Sequence, residues 1–340
     1  MDAMRTTTAV GYEKNLPVTD PEALVAREIE VPALGPHDLL VEIEAVSVNP
    51  VDVKLRAGSP APAEGFAVLG FDAAGTVREV GPGVSLFAPG DEVFYAGTID
   101  RPGTNQRLHV VDERIVGHKP GRLSFADAAS LPLTAITAWE TLFDRLRLTG
   151  ASTGTLLVIG ATGGVGSVMV ELAEALLPGV TVIATASGED RAAWVRDLGA
   201  DHVVNHHGDL AAQVLDLVPG GVDWLFTSHS EGQIETYARI VRPFGDIVAI
   251  DDGPRDVFPL KARSIAWHWE LMFTRPVQQT PDMIEQHRLL DAVAGLVEQG
   301  RIRATTTRTL SPISPSTLRQ AHELVESGRV IGKVVIHGWE

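Results

Sequence analysis

The chain contains no cysteine. Disulfides, cysteine-ligated zinc, iron–sulfur clusters and thiol nucleophiles are therefore excluded. Positive charge is in short supply as well: 28 Lys and Arg stand against 44 Asp and Glu, a formal net charge of −16 at pH 7. That balance repels phosphate backbones and anionic lipid, so neither nucleic acid nor a membrane is expected as a partner. No uninterrupted apolar stretch is long enough to span a bilayer, and MDAMRTTTAV lacks the apolar core of a secretory signal. These absences point to a cytoplasmic protein. What is present is ordinary for a folded chain: 340 residues, 44% hydrophobic and 21% charged. The length implies about two domains.

The first 125 residues read as mostly β. In LLVEIEAVSV (39–48), Val41, Ile43 and Ala45 alternate with Glu42 and Glu44, the pattern of a half-buried strand. GTVREVG (75–81) and DEVFYAG (91–97) give two more short strands, bounded by Gly81-Pro82-Gly83 and Pro89-Gly90-Asp91. SFADAASLPLTAITAWETLFD is helical, with Ser124 as N-cap. Strict alternation follows. Strands are expected at 155–160, 180–185, 202–204, 222–228 and 246–250, with helices at 164–177, 189–198, 208–217 and 231–242. Such alternation implies βαβ units and a parallel sheet. The rhythm breaks in the last 60 residues or so, with helices at 282–299 and 315–327 and a closing apolar strand, GKVVIH.

LLVIGATGGVGSVMVELA (156–173) packs Gly160, Gly163, Gly164 and Gly166 between a strand and a helix. Glycines there allow a tight turn, approach of the backbone to a pyrophosphate and close helix–strand packing, while the helix N-terminus supplies amide donors. The spacing, G-x-x-G-x-x-G, is one residue longer than G-x-G-x-x-G. A glycine turn without a ligand gives the same string, but the βαβ context on both sides favours a dinucleotide. In NAD-binding sheets an acid about 20 residues on bonds the ribose 2′-hydroxyl. Here that place holds Ala186 and Ser187, with Arg191 nearby. A small residue leaves room for a 2′-phosphate, Ser187 can donate to it and Arg191 can pair with it. This favours NADP(H). Glu189 and Asp190 are either first-turn helix residues or partners for a ribose diol.

The chain resembles the medium-chain dehydrogenase/reductases, in particular their zinc-free quinone oxidoreductase or zinc-type alcohol dehydrogenase-like branch. The resemblance runs through AVSVNPVDVKLRAG (45–58), LGFDAAGTVREVGPGV (69–84), PGDEVF (89–94), LPLTAITAWETL (131–142), VIGATGGVGS (158–167), LGADHVVNH (198–206) and the closing GKVVIHG. It implies an α/β protein with two parts. One is a GroES-like β-barrel domain, 1–125 and 272–340. The other is a Rossmann doubly wound parallel sheet, 126–271, with the cofactor in the cleft between them. It also implies that Gly160, Ala161, Gly163, Gly164, Val165 and Gly166 hold the cofactor, with Ser187, Arg191 and His206 at the adenosine end. The departures concern metal. Zinc-dependent relatives have Cys where this chain has Asn49, and G-H-E where it reads Gly70-Phe71-Asp72. The four-cysteine lobe is missing too. A catalytic zinc needs about three N, S or O ligands, so none is expected.

Without a metal, the protein must itself stabilise the oxyanion that forms on the acceptor. By family position Asn49 lies beside the nicotinamide and can donate to a carbonyl or quinone oxygen; read alone, Asn49-Pro50 is also a turn that caps a strand. Asp52 aligns with a recurrent family acid. Lys54 stands where quinone reductases often have Tyr, as a cation for an enolate or quinol oxygen; a solvated lysine is the plainer reading. Thr134 and Thr137 resemble residues flanking the nicotinamide, and threonines inside a helix can equally bond back to its backbone. WHWELMFTR (267–275) resembles a pocket wall, with Trp269 and Phe273 facing substrate beside Trp267 and Met272. An edge strand of alternating aromatics is the other reading, and in this superfamily such an edge often pairs with a second subunit, giving a homodimer. HELVE (322–326) lacks the second His of H-E-x-x-H and reads as a surface helix, and SHSEG (228–232) is not a nucleophile elbow. The expected function is NADPH-dependent hydride transfer to a quinone or α,β-unsaturated carbonyl. A zinc-type alcohol dehydrogenase, or a catalytically weak NADPH-binding redox sensor or structural protein, is the alternative.

Overall fold

The computed structural model of the chain describes residues 5–58 and 65–339. It divides into two compact units, one running to Leu133 and resuming at Phe273, the other Thr134–Met272. The first opens with strands β1 (Thr6–Tyr12), β2 (Val25–Glu30) and β3 (Asp38–Val48), then helix α1 (Pro50–Gly58). Strands β4 (Ala67–Val68), β5 (Ala73–Val80), β6 (Glu92–Tyr95), β7 (Leu108–Asp112) and β8 (Val116–His118) follow, then helices α2 (Phe125–Ala128) and α3 (Pro132–Trp139). The predicted alternation in β3 is present: Val41, Ile43 and Ala45 are buried while Glu42 and Glu44 are only partly so.

The stretch from Ser124 is not one helix. Ser124 does cap α2, its Oγ accepting from the Asp127 N–H at 3.1 Å. Pro132, however, has no N–H to continue that helix, and its fixed φ suits the first position of a new one, α3. A π-helical segment, Glu140–Arg145, follows.

The second unit is built from βαβ repeats: β9 (Gly154–Val158), α4 (Gly164–Leu176), β10 (Val180–Thr185), α5 (Glu189–Asp197), β11 (His202–Val204), α6 (Leu210–Leu217), β12 (Val222–Thr227), α7 (Ile234–Ile240), β13 (Val241–Ala249) and β14 (Ala266–Trp269). Among the described residues its sheet has the order β11-β10-β9-β12-β13-β14, with every pair parallel. Leu157, Ile183, Leu225 and Ile247, one from each central strand, are wholly buried together. A parallel sheet covered on both faces requires such apolar strands. α7 is shorter than the predicted helix, because Val241 already pairs with Val222 in the sheet.

The chain then returns to the first unit through α8 (Thr274–Gln278), α9 (Glu285–Glu298), β15 (Thr306–Leu310), α10 (Pro315–Glu326) and β16 (Lys333–His337). β16 lies antiparallel to β3, with Val334 opposite Val48 and His337 opposite Ala45. The late break in rhythm is this return. HELVE is not an ordinary surface helix: α10 packs on α1 and β16, and His322 is fully buried.

Candidate functional site

In the second unit β9 neighbours both β10 and β12, so successive crossovers leave in opposite directions from it. Ligands of doubly wound sheets bind at the carboxyl ends of strands flanking such a reversal. The glycine loop sits there. Gly160 has φ +80°, and its N–H donates to Thr185 Oγ1 at 3.0 Å. A Cβ on Gly160 would lie 2.4 Å from Ser228 Oγ, and one on Gly166 would lie 2.4 Å from the Gly160 carbonyl oxygen. These two glycines bring strand end, helix and neighbouring turn into contact. Gly163 has a different use: it is the N-cap of α4, offers no side chain to cap it, and a Cβ there would meet nothing nearer than 3.5 Å. The crest Thr162–Val165 is partly exposed and the first turn carries no acid. This cradle fits a pyrophosphate, with the first amides of α4 as donors. Ala161 beneath it is wholly buried, its carbonyl accepting from Ser167 Oγ at 3.3 Å.

At the end of β10, Ala186 is buried and its N–H donates to the Val204 carbonyl at 2.9 Å. Ser187 and Arg191 are half-buried on either side of Gly188, which precedes α5 with φ +81°. Glu189 is turned outward to Arg196 at 3.1 Å, so it behaves as a first-turn helix residue. After β11, the rings of His206 and His207 lie 4.2 Å apart. Burial pushes the His206 pKa down, and the nearby His207, His229 and Arg191 push it the same way. The carboxyl ends of β10, β11 and β12 thus form one basic edge.

The turn after β12 carries residues that sequence reasoning passed over. Tyr237 donates its hydroxyl to the His229 carbonyl at 2.9 Å and lies 2.9 Å from Thr227 Oγ1, which accepts from the His229 N–H at 3.0 Å. Ser230 donates its N–H and hydroxyl to Asp251 Oδ2 at 2.7 and 3.0 Å, and Arg255 bonds both residues. The turn is therefore held from three sides. It sets Ser228 Oγ 2.9 Å from His229 Nδ1, beside Gly160.

In the first unit a polar cluster is buried where β3 passes into α1. Asn49, Asp52, Asp72 and Lys333 are each at most 4% exposed. Lys333 Nζ donates to Asp72 Oδ2 at 3.0 Å, to the Val48 carbonyl at 3.2 Å, and to Asn49 Oδ1. Asn49 Nδ2 donates to Asp72 Oδ2 at 2.7 Å, and Ser47 Oγ donates to the same oxygen at 2.8 Å. The other oxygen of Asp72 accepts from the Leu133 N–H at 2.7 Å. Asp52 accepts from the Asn49 and Gly70 N–H groups at 2.8 and 2.9 Å. Burial pushes its pKa up to about 7, against the pull of those bonds and of Lys333. Gly70 has φ +112°, and a Cβ there would lie 2.5 Å from Thr104 Oγ1. The Asn49 amide is engaged through both its oxygen and its nitrogen, so its geometry is that of a residue holding the cluster together. The oxygens of Asn49 and Asp72 already coordinate an ammonium, and Phe71 supplies no donor. These side chains do not fit a zinc ion.

Lys54 is exposed on α1, on the side away from the buried Asp52 and Arg56. Thr134 and Thr137 are buried within α3. Phe273 and Met272 are both buried, and Phe273 meets Phe71 edge-on with centroids 5.3 Å apart. Trp269 is 49% exposed on β14, an edge strand of the sheet among the described residues, in edge contact with Trp267. Substrate choice in such a chain depends on loops read from the sequence, among them 57–68, of which residues 59–64 lie outside the described residues.

Comparison with known proteins fits this geometry. Residues 35–138 match the alcohol dehydrogenase GroES-like domain, and residues 198–336 match a family described as zinc-binding dehydrogenase. A zinc-type alcohol dehydrogenase-like protein of Staphylococcus aureus is 39% identical over 335 residues, covering 96% of this chain and 99% of that one. A mitochondrial NAD(P)H oxidoreductase of Bos taurus is 31% identical, covering 89% of this chain and 82% of that one. The crystal structure of a Rhizobium etli protein provisionally described as a zinc-dependent alcohol dehydrogenase superposes with a TM-score of 0.94 at 49% identity, covering 99% of this chain and 100% of that one.

Proposed function

The chain belongs to the medium-chain dehydrogenase/reductase superfamily, and on that premise we propose that it is an NADPH-dependent reductase of quinones or α,β-unsaturated carbonyls that needs no catalytic metal. It is an oxidoreductase by family; the cofactor, the substrate class and the lack of zinc are the proposal. The observation that carries it is the Lys333 ammonium bonded to Asn49, which stands where zinc-dependent relatives are expected to have a Cys ligand, and to Asp72, the last residue of the segment where they are expected to have G-H-E. A second support is the basic edge of Arg191, His206, His207 and His229 beside Ala186, where an acid would select NADH.

NADPH, when bound, supplies a hydride at the nicotinamide. The protein's part is to hold the pyrophosphate on the amides of Gly164, Val165 and Gly166, to take the 2′-phosphate with Ser187 and Arg191, and to meet the negative charge that grows on the acceptor oxygen. Lys54 and Thr134 are proposed for that last role. Asn49 and Asp52 position the segment that leads into α1. Trp269 and Phe273 are proposed as apolar contacts for a flat ring.

The decisive experiment follows NADPH oxidation against a panel of quinones and enones, with and without a strong chelator. Turnover that survives chelation is expected. In the Lys54→Ala variant kcat should fall about tenfold or more with the NADPH Kd little changed, since the lost interaction belongs to the transition state. No turnover on any member would favour the redox-sensor or structural alternative. Turnover abolished by chelation and restored by zinc would favour the zinc-type alcohol dehydrogenase.

We also propose a homodimer through β14, an edge strand that exposes Trp269 and, just beyond it, Leu271 at 55%. Unpaired edges invite a second strand. Light scattering should give twice the chain mass, and a Trp267→Pro change in the strand should halve it.

A further inference from the structure

The basic edge of the second unit contains more histidine than phosphate recognition requires. Three imidazoles, His206, His207 and His229, come from two separate turns and converge with Arg191 of α5. His206, His207 and His229 are all exposed enough to meet a ligand. The turn that carries His229 is fixed by Tyr237, Asp251 and Arg255, and Ser228 orients the ring through Nδ1. We infer that His206, flanked by the other two rings, reads the 2′-phosphate by taking up a proton as it binds, so that the choice of NADPH over NADH is itself pH-dependent. The inference rests on the NADPH reading above and deepens it.

The argument is one of charge. In the free protein the charges acting on His206 are all basic, from His207, His229 and Arg191, and together with burial they disfavour its protonated form. Of the acids near in sequence, Glu189 faces Arg196, Asp209 caps α6 by accepting from the Ala212 N–H at 2.9 Å, and Asp190, beside Arg191, is exposed to solvent. Asp251 is bound to Ser230 and Arg255. Glu231, next to the turn, is exposed to solvent. A phosphate dianion arriving among these rings reverses the sign of the local field and draws a proton onto His206. NADH has no 2′-phosphate and gains nothing. Linkage then requires NADPH, but not NADH, to bind more tightly as pH falls through the imidazole range. The phosphate itself, with a second pKa of about 6, acts in the opposite sense below that pH, so the effect belongs above it.

The test is calorimetric titration of the intact protein with NADPH and with NADH at about pH 6.5, 7.5 and 8.5, in paired buffers of different ionisation enthalpy. The NADPH-to-NADH affinity ratio should rise about fivefold to tenfold from the highest pH to the lowest, with about half a proton taken up per NADPH at neutral pH and none per NADH. His206→Gln should remove most of both the slope and the uptake, since Gln keeps a hydrogen bond but cannot take a proton. Adenosine 2′,5′-bisphosphate should reproduce the NADPH behaviour and 5′-AMP should not. A constant preference for NADPH with no proton uptake would overturn this inference and leave the NADPH reading standing. Equal affinity for both cofactors at every pH would overturn both.

Discussion

Lys333 is joined to Asp72 by a bond that neither residue can make to water, for both side chains are almost wholly buried. Removing the ammonium by Lys333→Met strands a buried carboxylate, and breaking one partner of such a pair costs about 3–5 kcal/mol. The variant should unfold at markedly lower denaturant. Adding Asp72→Leu should recover much of the loss, because replacing both charges with apolar groups is often close to neutral. Denaturant midpoints of the wild type, the single and the double variant check this. A double variant no better than the single would mean that the network around Asn49 and Ser47, and not the charge pair, carries the stability.

The glycine loop joins β9 to α4, and Gly166 lets the helix lie against the strand end. A Cβ there meets the Gly160 carbonyl at 2.4 Å and Ala161 Cα at 2.5 Å, both backbone atoms that cannot swing aside. Gly166→Val should therefore push the helix start out of place, with a stability cost of about 1–3 kcal/mol from overpacking. The NADP(H) Kd should rise more than about tenfold, since it depends on amide positions. Gly163→Ala is the control: with 3.5 Å of clearance and φ −78°, it should fold normally. Thermal unfolding and cofactor titration of both variants separate the two effects. α10 makes a related point about elements. Its HELVE string has no visible sign of burial, yet its His322 meets Arg56 Nε at 3.4 Å inside the unit.

Across the molecule, three buried groups with large shifts shape the response between about pH 4 and 7. Burial pushes His109 down to about 4, and burial with the Arg56 charge pushes His322 down to about 3. Between those values and the ordinary 6.5, the unfolded chain binds protons that the folded one refuses, so stability rises with pH through that window and the gain is complete above it. Asp52 acts the other way: its pKa goes from 3.8 up to about 7, so the folded form holds a proton that the unfolded form has lost, and stability falls as pH rises between the two. Two groups against one leave a net rise up to about pH 6.5, and these three place the optimum near pH 7. Unfolding free energies at about pH 5 and 7 should show the loss on the acid side, smaller by about one proton's linkage in His322→Gln.

The strands and helices of the second unit were legible because local chemistry fixes them: apolar runs of strand length, helix patterns between them, and glycines where backbone must approach backbone. The GroES-like and Rossmann fold classes were legible for the same reason, helped by family motifs. The break at Pro132 was overlooked although its cause is local, a missing N–H. The polar cluster of the first unit could not be read this way. Asn49, Asp72 and Lys333 are far apart in sequence and meet only because β16 pairs with β3 and β3 with β5. The same holds for the histidine edge, where His229 joins His206 and His207 because β12 and β11 end on one side of a parallel sheet. Sequence by itself determined which segments would be strand, glycine turn or helix, since those depend on residues a few positions apart. Tertiary structure alone decided which charges would be buried together, since burial is a property of packed neighbours and not of the chain that supplies them.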